Sequence, residues 1–230
     1  MNKNKNTIKE KKGFTLVEML VTVAVFSVVS GLTLANYPKF NSQTAITGLA
    51  QQIAIAIREA QVYGVAVRNS SSTASVISQN IYPAYGIFFG TPIIGTTYGN
   101  ETSYSIFFDK VIRTGPAPYF RPLGDNFFTD VSELVQTTRI NNGSTIISIC
   151  GVSYSTPTVC TPATAVNIVF RRPNPDAIIN IVTSNSSWSS WSGAAPTLID
   201  CSRVDITIRS KDQTQTKVIQ VFSTGQINVQ

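Results

Sequence analysis

The sequence predicts an α+β chain, with one long amino-terminal helix laid on an antiparallel β-sheet domain. The helix is apolar along its first half and amphipathic along its second. Two observations carry this expectation. Phe14 to Ala35 is a run of 22 residues with no lysine or arginine and a single acid, Glu18. Beyond it the apolar period is three or four up to Val67, and after residue 75 it gives way to short β-branched and alternating runs. The whole chain has 230 residues, of which 43% are hydrophobic and only 13% charged. That is about half the usual share of charge. There is no histidine. Ser-His-Asp and Cys-His nucleophiles, histidine metal sites and imidazole pH switches are therefore excluded.

A helix made of the apolar run rises about 33 Å, enough for a hydrocarbon core of roughly 30 Å. Residues 1–13 hold five of the 18 basic residues and one of the 12 acids, which leaves 13 against 11 for the rest. The basicity is thus mostly a leader, and it places the amino terminus on the cytoplasmic side. The run is longer than the hydrophobic region of an ordinary secretory signal, and Thr33-Leu34-Ala35 is a poor small-x-small cleavage site. Glu18 is an ionisable group inside the span. It costs on the order of 3 kcal/mol there, so a function is its default explanation.

Lys11-Lys12-Gly13-Phe14-Thr15-Leu16-Val17-Glu18 resembles the leader junction of type IV pilins and type II secretion pseudopilins. The resemblance implies a membrane aspartyl prepilin peptidase that cuts between Gly13 and Phe14 and methylates the new amine of Phe14. It also implies that the Glu18 carboxylate pairs with a neighbouring subunit's terminal amine during assembly. The physics agrees, because an ammonium and a carboxylate are each expensive in lipid and cheaper together. The expected organisation is a leader over 1–13, a transmembrane helix segment over 14–36, an amphipathic continuation over 37–68 and an extracytoplasmic β-rich domain over 76–230. Asn36-Tyr37-Pro38 marks the end of the span, where the proline kinks or restarts the helix. Ile46, Leu49, Ile53, Ile57, Ala60, Gly64 and Val67 form the apolar face, with Gln51, Gln52, Arg58, Glu59 and Gln61 mostly off it. Gly48 and Gly64 weaken the helix locally.

Strands are expected at Tyr85–Phe89, Tyr104–Phe108, Leu134–Ile140, Thr145–Cys150, Val166–Phe170, Ile178–Val182, Val204–Ile208, Val218–Phe222 and Gln226–Val229. Gly99-Asn100, Asn141-Asn142-Gly143, Pro173-Asn174-Pro175 and Thr224-Gly225 read as turns, and Lys211–Thr216 closes a hairpin. Ser184–Ala195 reads as a polar loop carrying Trp188 and Trp191. The helix ending Ile57-Arg58-Glu59-Ala60-Gln61 and the order of the later elements resemble GspH/FimT-type minor pilins and pseudopilins. Cys150 and Cys160 resemble the cysteine pair of many such proteins, and closing so short a loop contributes about 2–3 kcal/mol. The residues themselves leave Cys160–Cys201 and Cys150–Cys201 open, as well as three unpaired thiols.

No metal site, cofactor or catalytic residue is expected. Asp125 and Asp130 lack EF-hand spacing. Asp200, Asp205 and Asp212 stand among Arg203, Arg209 and Lys211 and read as mixed surface pairs. The implied function is structural: a minor pilin or pseudopilin subunit, near the tip or in initiation, of a type IV pilus or type II secretion pseudopilus. Its implied partners are other pilins, the prepilin peptidase, the inner-membrane assembly platform and membrane lipid. Its implied location is the inner membrane as a single pass, and then the filament. The alternative is a DNA-binding minor pilin for natural transformation. It is less favoured because Thr224–Gln230 has no basic residue and the nearby cations alternate with acids.

Overall fold

The apolar run forms the first half of helix α1 (Leu16–Val65), which opens the described part of the chain. The computed structural model describes residues 13–66, 83–91, 100–109, 133–183 and 198–230. Two compact units divide the chain, Met1–Asn41 and Ser42–Gln230. In the first unit four polar side chains of the helix are answered by the helix itself. Thr22, Ser27, Thr33 and Asn36 donate to the carbonyls of Met19, Val23, Ser30 and Leu32 at 2.8–3.0 Å. Such back-bonding lets hydroxyls and an amide sit in an apolar helix without a stranded donor. The helix is long and apolar enough to cross a membrane. It also runs through Pro38. The proline removes one bond from the ladder and does not end the helix.

In the second unit, α1 buries Ile46, Leu49, Ala50, Ile53, Ala56, Ile57, Ala60, Gln61 and Gly64. The expected apolar face is the buried one, apart from Val67, which lies outside the described residues. Gln61 differs from expectation because it is buried. Its amide donates to the carbonyls of Pro175 at 2.8 Å and Gly225 at 3.4 Å, and accepts from Arg58 at 2.7 Å. Gly64 also has a positive use. A methyl there would lie 2.4 Å from the carbonyl oxygen of Phe170, so the glycine lets helix and strand backbones touch.

The sheet strands are β1 (Ala84–Gly90), β2 (Ser103–Asp109), β3 (Leu134–Arg139), β4 (Thr145–Ser153), β5 (Cys160–Ala163), β6 (Ala165–Phe170), β7 (Ala177–Val182), β8 (Leu198–Arg209), β9 (Thr216–Phe222) and β10 (Ile227–Val229). All pairings are antiparallel. One path runs β10-β9-β8-β7-β6-β1-β2-β3, and β4 pairs with both β8 and β5. The long β8 is the joint, with Leu198–Asp200 on β7 and the stretch from Cys201 to Arg209 between β4 and β9.

One face of the sheet packs on the helix through Ile87, Phe89, Ile168, Phe170, Val204, Ile206, Ile208, Ile219 and Val221. The other face carries a second cluster, Phe88, Phe107, Ala165, Val169 and Val182. Both faces of β1 and β6 are therefore buried, which is why those strands read as near-continuous apolar runs and not as alternations. Each fully buried aliphatic or aromatic side chain contributes roughly 1.5–3 kcal/mol of transfer free energy. The Asn-Gly and Thr-Gly turns place Gly143 and Gly225 at φ 76° and 79°, a region that glycine alone enters freely. Strand β5 was not expected. It is a four-residue edge strand containing Pro162, and an edge is where a sheet tolerates proline.

Candidate processing and assembly site

Gly13, Phe14 and Thr15 precede the first helical residue. Phe14 is 76% exposed, and nothing lies within 4 Å of a methyl built on Gly13. The junction is thus an exposed, non-helical segment running into a helix. Thr15 and Glu18 form a capping box. The Thr15 amide and hydroxyl donate to Glu18 Oε2 at 3.4 and 3.3 Å, and the Glu18 amide donates to Thr15 Oγ1 at 3.3 Å. This is the Thr-x-x-Glu arrangement that satisfies orphan donors at a helix start. A carboxylate in the first turn is also favoured by the helix dipole. The Thr-x-x-Glu spacing of Thr15-Leu16-Val17-Glu18 is the sequence signal for this box.

Two turns hold the beginning of the helix in the second unit. Ser42 Oγ donates to Asp212 Oδ2 at 2.7 Å, and Asn142 Nδ2 donates to the Ala45 carbonyl at 3.4 Å. Asp212 also accepts from Ser210 Oγ at 2.5 Å, from Thr214 Oγ1 at 2.9 Å and from the Thr214 amide at 3.3 Å. The Ser210 hydroxyl, then that of Ser42, with Thr214 behind them, hold the Asp212 carboxyl well below the usual carboxylate range. Further along, the Tyr63 hydroxyl donates to Glu59, and the Tyr63 ring meets Tyr85 edge-on at 5.7 Å. Burial pushes the Tyr104 phenol up. A hydrogen bond with Thr138 opposes this and the Glu59 charge adds to it.

Cys150 and Cys160 are joined as a disulfide with a Cα–Cα distance of 5.6 Å. The register explains why they meet. Cys150 faces Pro162 and Val152 faces Cys160, so the two cysteines are diagonal neighbours on one face of the β4–β5 pair. Cys201 is buried and unbridged. Its sulfur lies 2.6 Å from where a Gly151 methyl would stand. Gly151 and Cys150 are consecutive in β4 and point to opposite faces, so Cys201 lies behind the strand from the disulfide. Among the acids read as mixed surface pairs, Asp205 holds Arg203 at 2.9 Å. The Arg203 guanidinium also lies 5.9 Å from the centre of the Phe222 ring. Asp212 is taken up by hydroxyls instead, and Arg209 forms no ion pair among the described residues. The side chain of Asp200, and all of Asp125, Asp130, Trp188 and Trp191, lie outside what is described.

Residues 8–34 match the family described as the prokaryotic N-terminal methylation motif. The match covers the leader end, the Gly13-Phe14 junction, Glu18 and most of the apolar span. It supports a type IV pilin-like subunit and, with the apolar helix, a single-pass inner-membrane protein. No curated protein and no solved structure matches the chain.

Proposed function

We propose that this chain is a minor pilin or pseudopilin subunit of a type IV pilus or type II secretion pseudopilus, acting near the tip or in initiation. The single observation that supports it most is the methylation motif over 8–34, which leads directly into a helix able to cross a membrane. On this reading the prepilin peptidase cuts between Gly13 and Phe14, and Phe14 becomes an N-methylated terminus. The apolar helix then anchors the subunit in the inner membrane with its β-domain extracytoplasmic. The assembly platform draws the helix out of lipid and among the helices of other pilins. The ammonium of a neighbouring Phe14 replaces the Thr15 donors on Glu18. An ammonium–carboxylate pair in a medium with little screening adds a charge–charge attraction that the two long bonds from the uncharged Thr15 donors lack. The gain exists only between subunits, so it favours docking and sets their axial register. The role is structural, and the chemistry belongs to the peptidase and the assembly ATPase.

The DNA-binding alternative draws less support. Arg203, on the outward face of β8, is engaged by Asp205, and Thr224–Gln230 holds no basic residue. The reading is tested by mass spectrometry of the membrane-extracted protein from cells that contain prepilin peptidase. The expected species begins at N-methylated Phe14. A chain beginning at Asn36 would assign the segment to signal peptidase instead.

A further inference from the structure

Asn142 is the one asparagine of the chain that is followed by glycine. It lies exposed in the turn between β3 and β4. Its side-chain carbonyl oxygen accepts the backbone N–H of Ser144 at 3.0 Å, and Ser144 is buried, so that donor is fixed. The Gly143 amide, next along the chain, has no acceptor among the described residues. A nitrogen with no side chain beside it thus adjoins a carbonyl whose oxygen already has a donor. The backbone demands this glycine. Gly143 has φ 76°, a conformation that side chains oppose. The Lys211 stem also lies over it, with Cβ, Cγ and Cδ 2.8–3.3 Å from where a methyl would stand. The turn therefore keeps the neighbour that leaves Asn142 open to attack. The Asn142 amide group has a structural use as well. It donates to the carbonyl of Ala45 at 3.4 Å, one of the contacts that hold the start of the helix in the second unit.

We propose that Asn142 is a self-modification site, at which the chain deamidates with water as the only co-reactant and slackens the hold of the β3–β4 turn on the helix. The Gly143 nitrogen loses its proton to solvent base and bonds to the side-chain carbonyl carbon of Asn142. Negative charge gathers on the oxygen that the Ser144 N–H faces. The bond from that carbon to Nδ2 then breaks, Nδ2 takes a proton and leaves as ammonia, and a five-membered imide remains. Water opens the imide at one of its two carbonyls and leaves an aspartate or an isoaspartate at this position. No oxidant or reductant takes part. Neither product can donate to the Ala45 carbonyl, because an ionised carboxylate only accepts. The new charge therefore meets that carbonyl oxygen as a second acceptor. The isoaspartate also adds one carbon to the backbone and so moves the acceptor of the Ser144 amide. The bond from Ser42 to Asp212 is untouched. Ammonia is lost to solvent, so the turn ages in one direction. The reaction is independent of the assembly role of Glu18.

The experiment incubates the full chain in dodecyl maltoside, in mildly alkaline heavy-oxygen water, and maps its peptides over time by mass spectrometry. A parallel sample is unfolded in urea. Asn228, exposed and followed by the branched Val229, is the internal reference. In the folded chain Asn142 should take up heavy oxygen on the order of a hundredfold faster than Asn228, since one donor on a developing oxyanion contributes about that much. The products should separate as an aspartate and an isoaspartate peptide. Conversion in urea with none in the folded chain would show that the turn protects Asn142, and the proposal would fail. It would fail equally if Asn142 converted no faster than Asn228, or in neither sample. Asn142→Asp, made directly, tests the consequence by hydrogen exchange. Loss of one hydrogen bond should speed exchange of the helix amides around Ala45 about two- to tenfold. The amides of the β8–β9 pair should keep their protection and so report an intact fold. Exchange around Ala45 equal to wild type would overturn the loosening.

Discussion

Gly48 and Gly64 lie in the same helix, yet the same substitution should move stability in opposite directions. In an open helical position Gly→Ala stabilises by about 1 kcal/mol, because alanine gives up less backbone freedom. Gly48 is exposed and has nothing within 4 Å of an added methyl, so Gly48→Ala should show that gain. At Gly64 the methyl would stand 2.4 Å from the Phe170 carbonyl oxygen, 2.8 Å from its Cβ and 2.9 Å from its carbonyl carbon. Two of these three atoms are backbone, so no rotamer change relieves them. Helix and β6 must part by roughly 1 Å to restore ordinary contact. Overpacking of this kind costs about 1–3 kcal/mol, and it displaces a helix end on which Gln61, Tyr63 and Tyr85 also rest. A clash of 2.4 Å with backbone belongs in the upper part of that range, about 2–3 kcal/mol, so after the propensity gain the net should be a loss of about 1–2 kcal/mol. For a unit of this size that lowers the melting temperature by about 2–8 °C, against a rise of about 2–4 °C for Gly48→Ala. Thermal unfolding of the full chain in detergent, followed by circular dichroism, measures both. A Gly64→Ala protein as stable as wild type would refute the close contact between helix and strand.

Gly151→Ala should cost about 1–2 kcal/mol, because its methyl meets Cys201 Sγ and Ile181 Cδ1 at 2.6 Å; Cys201→Ala in the same chain should recover part of the loss, as a double-mutant cycle in urea would show. Reducing Cys150–Cys160 should lower stability by about 2–3 kcal/mol without loss of the β4–β8 pairing, measured by unfolding with and without a reductant. Asp212 has a depressed folded-state pKa, so its contribution is complete above the unfolded carboxylate value of about 3.9 and fades only as pH falls from there toward the lower folded value. Asp212→Asn should therefore be less stable than wild type by a constant amount from neutral pH to about pH 4, with the gap closing below it; a gap that closes at higher pH would contradict the hydroxyl cage. Glu18→Gln should keep the capping box and lose the charge. Helix formation and processing should then be normal while crosslinking to partner pilins in membranes falls, and wild-type crosslinking would remove the assembly role.

The helix and most strands were legible because their signals are local. Ile46, Leu49, Ile53, Ile57, Ala60 and Gly64 mark one helical face, and the strands are β-branched runs ended by turn residues. What was not legible depends on register, and register is a property of pairs. Gln61 looked like a solvent residue until Pro175 and Gly225 came to face it. Gly64 looked like a weakness until Phe170 lay against it. β5 has too few apolar residues to be read as a strand, and it exists because β4 lends it a ladder. The mixed charges of β8 looked uniform in sequence. In the structure Arg203 holds Asp205 two residues along the same strand, whereas Arg209 stands opposite Thr145 and Thr216.

Glu18 joins the two kinds of information. Its position in an apolar run marks it as costly, and its spacing from Thr15 shows how one chain bears that cost alone. The capping bonds, at 3.3–3.4 Å, are long for the carboxylate that accepts them. A group held this way is satisfied enough to enter the membrane and weakly enough to be released. The Thr15 donors and an ammonium both bond a charged carboxylate, but only the ammonium adds a full opposite charge, which counts for most where water screens little. On the proposed assembly reading, an ammonium arriving from a neighbour would compete with Thr15 for the same oxygens. The helix start would then be a switch between two partners for one carboxylate, set by whether a second subunit is present.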